Sequence, residues 1–175
     1  MGNTVENSIE IDSPIGDVFA FVDDYQNVTK YIVGMTEYKP LTKQTSGQGS
    51  QFRFVKKTTG LPDIKSDVEI TDWAKDKKIS FKSFAGFDNG GTYTFSTKGG
   101  ATVVKLSNSY DLASLMGGGR GGIFGGIGKA VGGVASKAAE GQVRKDLTRS
   151  LENLRDKVEA TAKKPAAKKA AARKA

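Results

Sequence analysis

The chain has 175 residues, no cysteine and no histidine, which excludes disulfides, thiolate metal sites, Cys/His nucleophile pairs and a histidine general base. Most hydrolases and zinc enzymes are excluded with them, and the length is that of one domain with a single core plus a tail. Six of the eight excess positive charges lie beyond residue 162, where no acidic residue occurs. These basic residues are Lys163, Lys164, Lys168, Lys169, Arg173 and Lys174.

The beginning of the chain lacks the apolar segment of a signal peptide, and Met1-Gly2 is followed by no serine or threonine at the myristoylation position. No stretch approaches 18 consecutive apolar residues, the length that indicates a membrane-spanning helix. We therefore expect a soluble protein located in the cytoplasm.

The first 31 residues predict one strand followed by two short helices. Alternating apolar residues indicate a strand over 4–11. Ser13 is the predicted N-cap of a helix that begins at Pro14, since serine accepts free helical N–H groups and proline suits the first helical position. Two aspartates at 23–24 end this helix, and residues 26–31 form a second, shorter one.

From residue 33 onward, apolar alternation between turn signals predicts an antiparallel meander of six strands. The predicted strands span 35–43, 51–59, 64–73 and 79–85, then a strand that contains Tyr93 and Phe95, and a last strand over 102–110. Asn89-Gly90-Gly91 has the composition of a hairpin turn. We find no internal repeat.

The stretch 123–160 has apolar residues every three or four positions, which predicts one helix of about 35 residues with a buried stripe. The charged residues between them, Asp146 among them, are assigned to the solvated face. Gly132 and Gly133 fall inside this helix, where each costs up to about 1 kcal/mol relative to alanine. An alternative start near Ala135, after a glycine-rich loop, therefore stays open. The predicted stripe is Ile127, Val131, Val134, Ala138, Val143, Leu147, Leu151, Leu154 and Val158.

Residues 161–175 are rich in alanine, lysine and proline, and this composition predicts a disordered basic tail. Such a tail can contact the phosphates of nucleic acid or of an anionic membrane. The alternative is a solubilising tail with no specific partner. The folded domain is predicted to span 1–160, with a glycine-rich loop over 117–126 that leads into the long helix.

The element order β-α-α-β-β-β-β-β-β-α and two opening stretches resemble the START-like (SRPBCC) superfamily. These stretches are residues 9–14 (IEIDSP) and 18–25 (VFAFVDDY). The glycines at 47 and 49 before Phe52, and the Gly-Gly-Thr of 90–92 before an aromatic strand, are similar to later family features. The resemblance covers about 4–160 and is greatest to bacterial members of the polyketide cyclase/dehydrase type.

This resemblance implies an α+β helix-grip fold, in which a curved seven-stranded antiparallel sheet wraps around the long C-terminal helix and encloses a cavity. It implies a non-catalytic carrier or sensor that binds a hydrophobic small molecule or lipid there. A polyketide cyclase/dehydratase-like enzyme using the same cavity is one alternative. Another is an interaction protein that docks through its basic tail to nucleic acid or an anionic membrane. We expect no metal and no cofactor.

The cavity wall predicted from this fold combines inward positions of five strands with the first half of the long helix. The aromatic members can equally be ordinary core residues, and the sequence indicates no catalytic residue, because no acidic or basic pair has a distinctive spacing. The predicted wall consists of Phe54, Ile70, Phe81, Ser83, Tyr93, Phe95, Tyr110, Ile127, Val131 and Val134.

Overall fold

The computed structural model describes residues 3–58, 63–111 and 132–172, with side chains of the last segment over 140–162. Within these ranges the chain forms seven strands, two short α-helices with a turn of 3₁₀-helix between them, and one long helix. The strands are β1 (Asn3–Ile11), β2 (Met35–Pro40), β3 (Gln51–Lys56), β4 (Ile64–Ala74), β5 (Lys78–Gly86), β6 (Asn89–Lys98) and β7 (Ala101–Tyr110). The helices are α1 (Ile15–Asp23), the 3₁₀ turn (Tyr25–Asn27), α2 (Val28–Tyr31) and α3 (Gly132–Ala172).

All seven strands belong to one antiparallel sheet with the order β1-β7-β6-β5-β4-β3-β2. Strands β2 to β7 form a meander, and β1 pairs with β7 along its whole length, from Asn3↔Tyr110 to Ile11↔Thr102. The curled sheet and α3 make an α+β helix-grip fold, so the predicted fold class is confirmed.

The inner face of α3 buries the described part of the predicted apolar stripe against the concave side of the sheet. Leu147, Leu151, Leu154 and Val158 are all buried, and Leu154 has no exposed surface. Asp146 is also buried, at 6 % exposure, so its assignment to the solvated face is wrong. Its place between the apolar positions of the stripe turns it inward, where Lys56 and Gln142 contact its carboxylate.

Helix α1 begins one residue later than predicted, and Ser13 is not its N-cap. Pro14 occupies the cap position, and its carbonyl accepts the N–H groups of Asp17 and Val18. Ser13 is held instead by the end of the sheet, because its carbonyl accepts the Thr102 hydroxyl at 2.7 Å. Asp17 lies in the first turn, where its negative charge suits the helix dipole.

Gly90 and Gly91 do not form the predicted hairpin turn, because both lie within β6 and pair with β5. The turn lies at 87–88, directly before the predicted residues. Gly91 pairs with Phe81, and a Cβ at Gly91 would lie 2.8 Å from the Phe81 ring and 2.9 Å from the Ser107 carbonyl oxygen. The glycine is therefore needed for close packing inside a strand.

Helix α3 includes Gly132 and Gly133, so the described backbone is helical before the alternative start near Ala135. It is also helical over 161–172, where a disordered tail was predicted. Alanine and lysine are both strong helix formers.

No helix in the described residues is long and apolar enough to cross a membrane. The predicted loop over 117–126 lies outside the described residues.

Candidate ligand-binding cavity

A cavity of about 160 Å³ lies between the concave face of the sheet and the inner face of α3. Most of its wall is aliphatic or aromatic, and a small number of polar groups interrupt it. An apolar void of about 150 Å³ is enough to hold a benzene-sized molecule. The apolar wall consists of Val5, Val22, Val28, Ile32, Met35, Phe52, Phe54, Ile64, Val68, Ile70, Ile79, Phe81, Phe87, Leu106, Val143 and Leu147, with the rings of the tyrosines.

Five of the residues predicted to form the wall line this cavity in the structure. Phe54, Ile70, Phe81, Tyr93 and Tyr110 come from five consecutive strands, β3 to β7, and each side chain points to the concave face. They meet there because alternate residues of a strand share one face and the sheet curls around the helix. Their contact with a ligand stays a prediction.

Phe95 is buried, but it belongs to the packed core and not to the cavity wall. Its ring packs edge-on against Phe19 with centroids 5.1 Å apart, and it stacks on Tyr93 at 6.5 Å. Phe95 therefore supports the ring of a cavity residue from behind. It does not line the space itself.

Ser83 also lies outside the cavity wall. Its hydroxyl accepts the Asn89 N–H at 3.0 Å and donates to Asp88 at 3.3 Å, so it closes the turn between β5 and β6. The side chains of Ile127, Val131 and Val134 lie outside the described residues.

All five tyrosines of the chain line the cavity, whereas only Tyr93 and Tyr110 were predicted to do so from the sequence. The three others are Tyr25 in the 3₁₀ turn, Tyr31 in α2 and Tyr38 in β2. Only Tyr38 lies in a strand, where period-two alternation together with the aromatic residues of the paired strand β3 could have indicated an inward position. Tyr25 and Tyr31 lie in elements of three and four residues, which are too short to show a periodicity.

Tyr31 and Tyr93 form the hydrogen bond at the centre of the polar lining. The Tyr31 hydroxyl donates to the Tyr93 hydroxyl oxygen at 3.4 Å, and both side chains are buried. Burial raises the pKa of Tyr93 to about 12, although the bond from Tyr31 opposes this rise. Burial, and then the neighbouring Tyr93, raise the pKa of Tyr31, and burial likewise raises the pKa of Tyr38. All three phenols are therefore neutral at physiological pH.

A charged pair borders the same cavity. The Lys56 ammonium lies 3.5 Å from the Asp146 carboxylate, and the exposed fractions of the two side chains are 20 % and 8 %. Gln142 donates to the other Asp146 oxygen at 2.8 Å. The Ser150 hydroxyl donates to the Asp146 carbonyl and accepts the Val33 N–H at 2.9 Å, which ties α3 to the segment after α2. The pair carries no net charge.

Asp23, at the end of α1, joins three parts of the chain at another edge of the cavity. Its carboxylate accepts the Trp73 indole N–H at 2.8 Å and the Ser46 hydroxyl at 2.6 Å. Asp23 and Ser46 both line the cavity, so this contact holds the β2–β3 loop against its edge.

Among the described residues, no group of three or more histidine, cysteine, aspartate or glutamate side chains is arranged to bind a metal ion.

Residues 3–159 match the family described as "Polyketide cyclase / dehydrase and lipid transport". This match covers most of the chain, and the protein belongs to that family. The START-like, polyketide cyclase-type resemblance of the sequence is thereby confirmed. No curated protein matches the chain.

Solved structures of similar fold have low sequence identity and cover nearly the whole chain. A Thermus thermophilus protein (TTHA0849) is 21% identical, with a TM-score of 0.70, and the alignment covers 91% of this chain and 99% of that one. The Zhui aromatase/cyclase of a Streptomyces species is 15% identical, with a TM-score of 0.71 and coverage of 91% and 94%. A START superfamily protein from Mycobacterium smegmatis is 13% identical, with a TM-score of 0.65 and coverage of 90% and 98%. At these identities the likeness shows the fold alone.

Proposed function

We propose that this protein binds a hydrophobic small molecule or lipid in the cavity between the sheet and α3, as a carrier or sensor without catalysis. The observation that carries the proposal is the cavity itself, with an apolar wall and few polar groups. This composition is typical of small-molecule sites. The family description, which includes lipid transport, supports the same function.

The volume of the cavity limits what it can hold. About 160 Å³ is below the range of roughly 300–1,000 Å³ that is usual for drug-sized ligands. The cavity as it stands suits a compact molecule of one or two rings, or one end of a longer lipid. Naphthalene, an uncharged two-ring hydrocarbon, is therefore a suitable first probe.

Filling the cavity tests the proposal. Val143 on α3 lines the cavity and packs against the core, and we expect Val143→Trp to weaken naphthalene binding at least tenfold by occupying the space. Val103 on β7 is half-buried on the opposite face of the sheet and does not line the cavity, so Val103→Trp is the matched control. Amide shifts in a nuclear magnetic resonance titration would give both the affinity and the place of binding.

Two outcomes would count against cavity binding. In one, Val143→Trp keeps the wild-type affinity; in the other, Val103→Trp loses as much affinity as Val143→Trp. Native mass spectrometry of protein purified from its own host, with extraction of any bound molecule, would identify the natural ligand.

The second candidate function is a cyclase or dehydratase on the same cavity. The observation that favours it is the presence of protonated tyrosines and Lys56 on the cavity wall, with Asp146 paired to Lys56 beside it, because such groups can donate and accept protons. The two candidates differ in the fate of the ligand. A carrier releases its natural ligand unchanged after long incubation, and an enzyme releases a product of altered mass.

Docking of the basic segment 163–175 to nucleic acid or an anionic membrane stays a prediction from composition, as does the cytoplasmic location. The side chains of this segment lie outside those described. The cavity proposal does not depend on them.

A further inference from the structure

The Tyr31–Tyr93 hydrogen bond leaves one proton of the cavity wall without an acceptor. Tyr31 is the donor, and the Tyr93 oxygen is the acceptor. A phenol carries a single proton, so the proton of Tyr93 is available for another partner. None of the residues that the structure describes accepts it. Both side chains are buried, and both line the cavity, so the oxygen of a bound ligand could accept this proton and recover the hydrogen bond.

Tyr38 adds another hydroxyl to the same wall, as do Tyr110 and Thr58, whose hydroxyls also have no hydrogen-bond partner among the described residues. Tyr38 lies on β2, opposite Phe54, and makes no hydrogen bond with the described part of the chain. Burial raises its pKa as it raises that of Tyr93, so both hydroxyls stay protonated donors. The neutral phenols thus offer protons and no negative charge.

The charged groups of the wall have partners already. Among the described residues that line the cavity, Lys56 and Asp23 are the charged ones. Lys56 is paired with Asp146, and Asp23 accepts hydrogen bonds from Trp73 and Ser46. A ligand with a negative charge would have to compete with Asp146 for Lys56 and would lose its hydration in an apolar space. An uncharged ligand has no such cost.

We infer that the ligand is uncharged and carries a hydrogen-bond acceptor oxygen on an apolar body, as a ketone or ester does, and that Tyr93 donates to this oxygen. Tyr31 holds the Tyr93 hydroxyl in place from behind. This inference rests on the proposed function and adds the chemical class of the ligand. It predicts discrimination against hydrocarbons that lack the oxygen and against carboxylates of the same shape.

Three two-ring probes of nearly equal shape test it on the full chain. They are 2-acetylnaphthalene, which has the acceptor oxygen, 2-isopropenylnaphthalene, which has a CH₂ group in its place, and 2-naphthoate, which has a negative charge. We expect the ketone to bind about tenfold tighter than either of the others. The variant Tyr93→Phe keeps the ring and loses the hydroxyl. In this variant the affinity for the ketone should fall to the affinity for the alkene. The affinity for the alkene should stay within about twofold of its wild-type value.

Thr94→Val is the control for the loss of a hydroxyl on the same strand. Thr94 is exposed on the opposite face of the sheet, so this variant should keep the tenfold preference for the ketone. A second measurement is the carbonyl carbon resonance of the bound ketone. It should move downfield in wild type because of the hydrogen bond, and this shift should be lost in Tyr93→Phe.

The outcomes separate this inference from the proposed function. If the ketone and the alkene bind equally to wild type, and Val143→Trp displaces both, the inference is overturned and cavity binding stands. If the carboxylate binds most tightly, the uncharged ligand class is wrong. If none of the three probes binds, both the inference and the proposed function fail for ligands of this size.

Discussion

The Asp146 carboxylate lies on the inner face of α3, beside the cavity and 3.5 Å from the Lys56 ammonium. A mostly buried ion pair adds little net stability, but removal of one partner leaves the other charge without compensation. We therefore expect Asp146→Ala to lower the free energy of unfolding by about 2–4 kcal/mol. Urea denaturation measures this change.

A control for this prediction is Asp156→Ala on the same helix. Asp156 is 66 % exposed and contacts Arg155 at 3.3 Å, so its loss should change stability by no more than about 0.5 kcal/mol. The double variant of Lys56→Met with Asp146→Ala should recover most of the lost stability, because no buried charge is left unpaired. If the double variant is as unstable as Asp146→Ala alone, the uncompensated lysine is not the cause.

At the scale of the element, β6 depends on a residue without a side chain. A Cβ at Gly91 would meet the Phe81 ring at 2.8 Å and the Ser107 carbonyl oxygen at 2.9 Å, and the backbone oxygen cannot move without disturbing β7. We expect Gly91→Ala to destabilise the protein by about 1–3 kcal/mol, the usual cost of overpacking. Thermal unfolding of the variant and the wild type checks this.

Gly141→Ala is the matched control, because the same substitution should have the opposite effect there. Gly141 lies exposed in α3, and a Cβ at this position would have no other atom within 4 Å. Alanine should therefore raise stability by about 0.5–1 kcal/mol through its greater helix propensity. Phe81→Leu added to Gly91→Ala should restore part of the loss by removing the ring contact. If Gly91→Ala is as stable as the wild type, the backbone of the sheet can shift at this position to accommodate a Cβ, and the prediction is wrong.

At the scale of the whole molecule, the buried tyrosines make the fold sensitive to alkaline pH. The pKa of Tyr93 rises from 10.0 to about 12 on folding, and Tyr31 and Tyr38 shift in the same direction. The unfolded chain therefore loses these protons first as the pH rises. Their contribution to stability is complete below about pH 10 and is lost as the pH approaches the folded pKa.

We expect the urea midpoint of wild type to fall between about pH 10 and pH 12, with Tyr93 contributing on the order of 2 kcal/mol to the full effect. Tyr93→Phe should show a smaller fall over the same interval, and the difference between the two curves isolates this tyrosine from the lysines. Parallel curves for the two proteins would contradict the assignment. Tyrosinate absorbance would follow the ionisation directly.

The sequence was enough to predict the order of the elements, the single antiparallel sheet and the family, because these depend on local periodicity and on short stretches such as residues 9–14. It also predicted the buried stripe of α3 from Leu147 to Val158. The apolar positions of a strand repeat every two residues and those of a helix every three or four, so residues close together in the chain are enough to indicate each element.

Only the tertiary structure decided which side chains meet in the cavity. Tyr31 and Tyr93 are 62 positions apart in the chain. Lys56 lies on β3, next to the edge strand farthest from β1, and its partner Asp146 lies on α3. The register shifts of β4 against β5, between Asp67 and Val68 and between Ile70 and Asp72, alter which residues of these strands are opposite each other. A shift of one residue exchanges the two faces of a strand, and no local pattern reports it. Only the inward strand positions Phe54, Ile70, Phe81, Tyr93 and Tyr110 were therefore predicted from the chain, and the rest of the wall was decided by the way distant elements pack together.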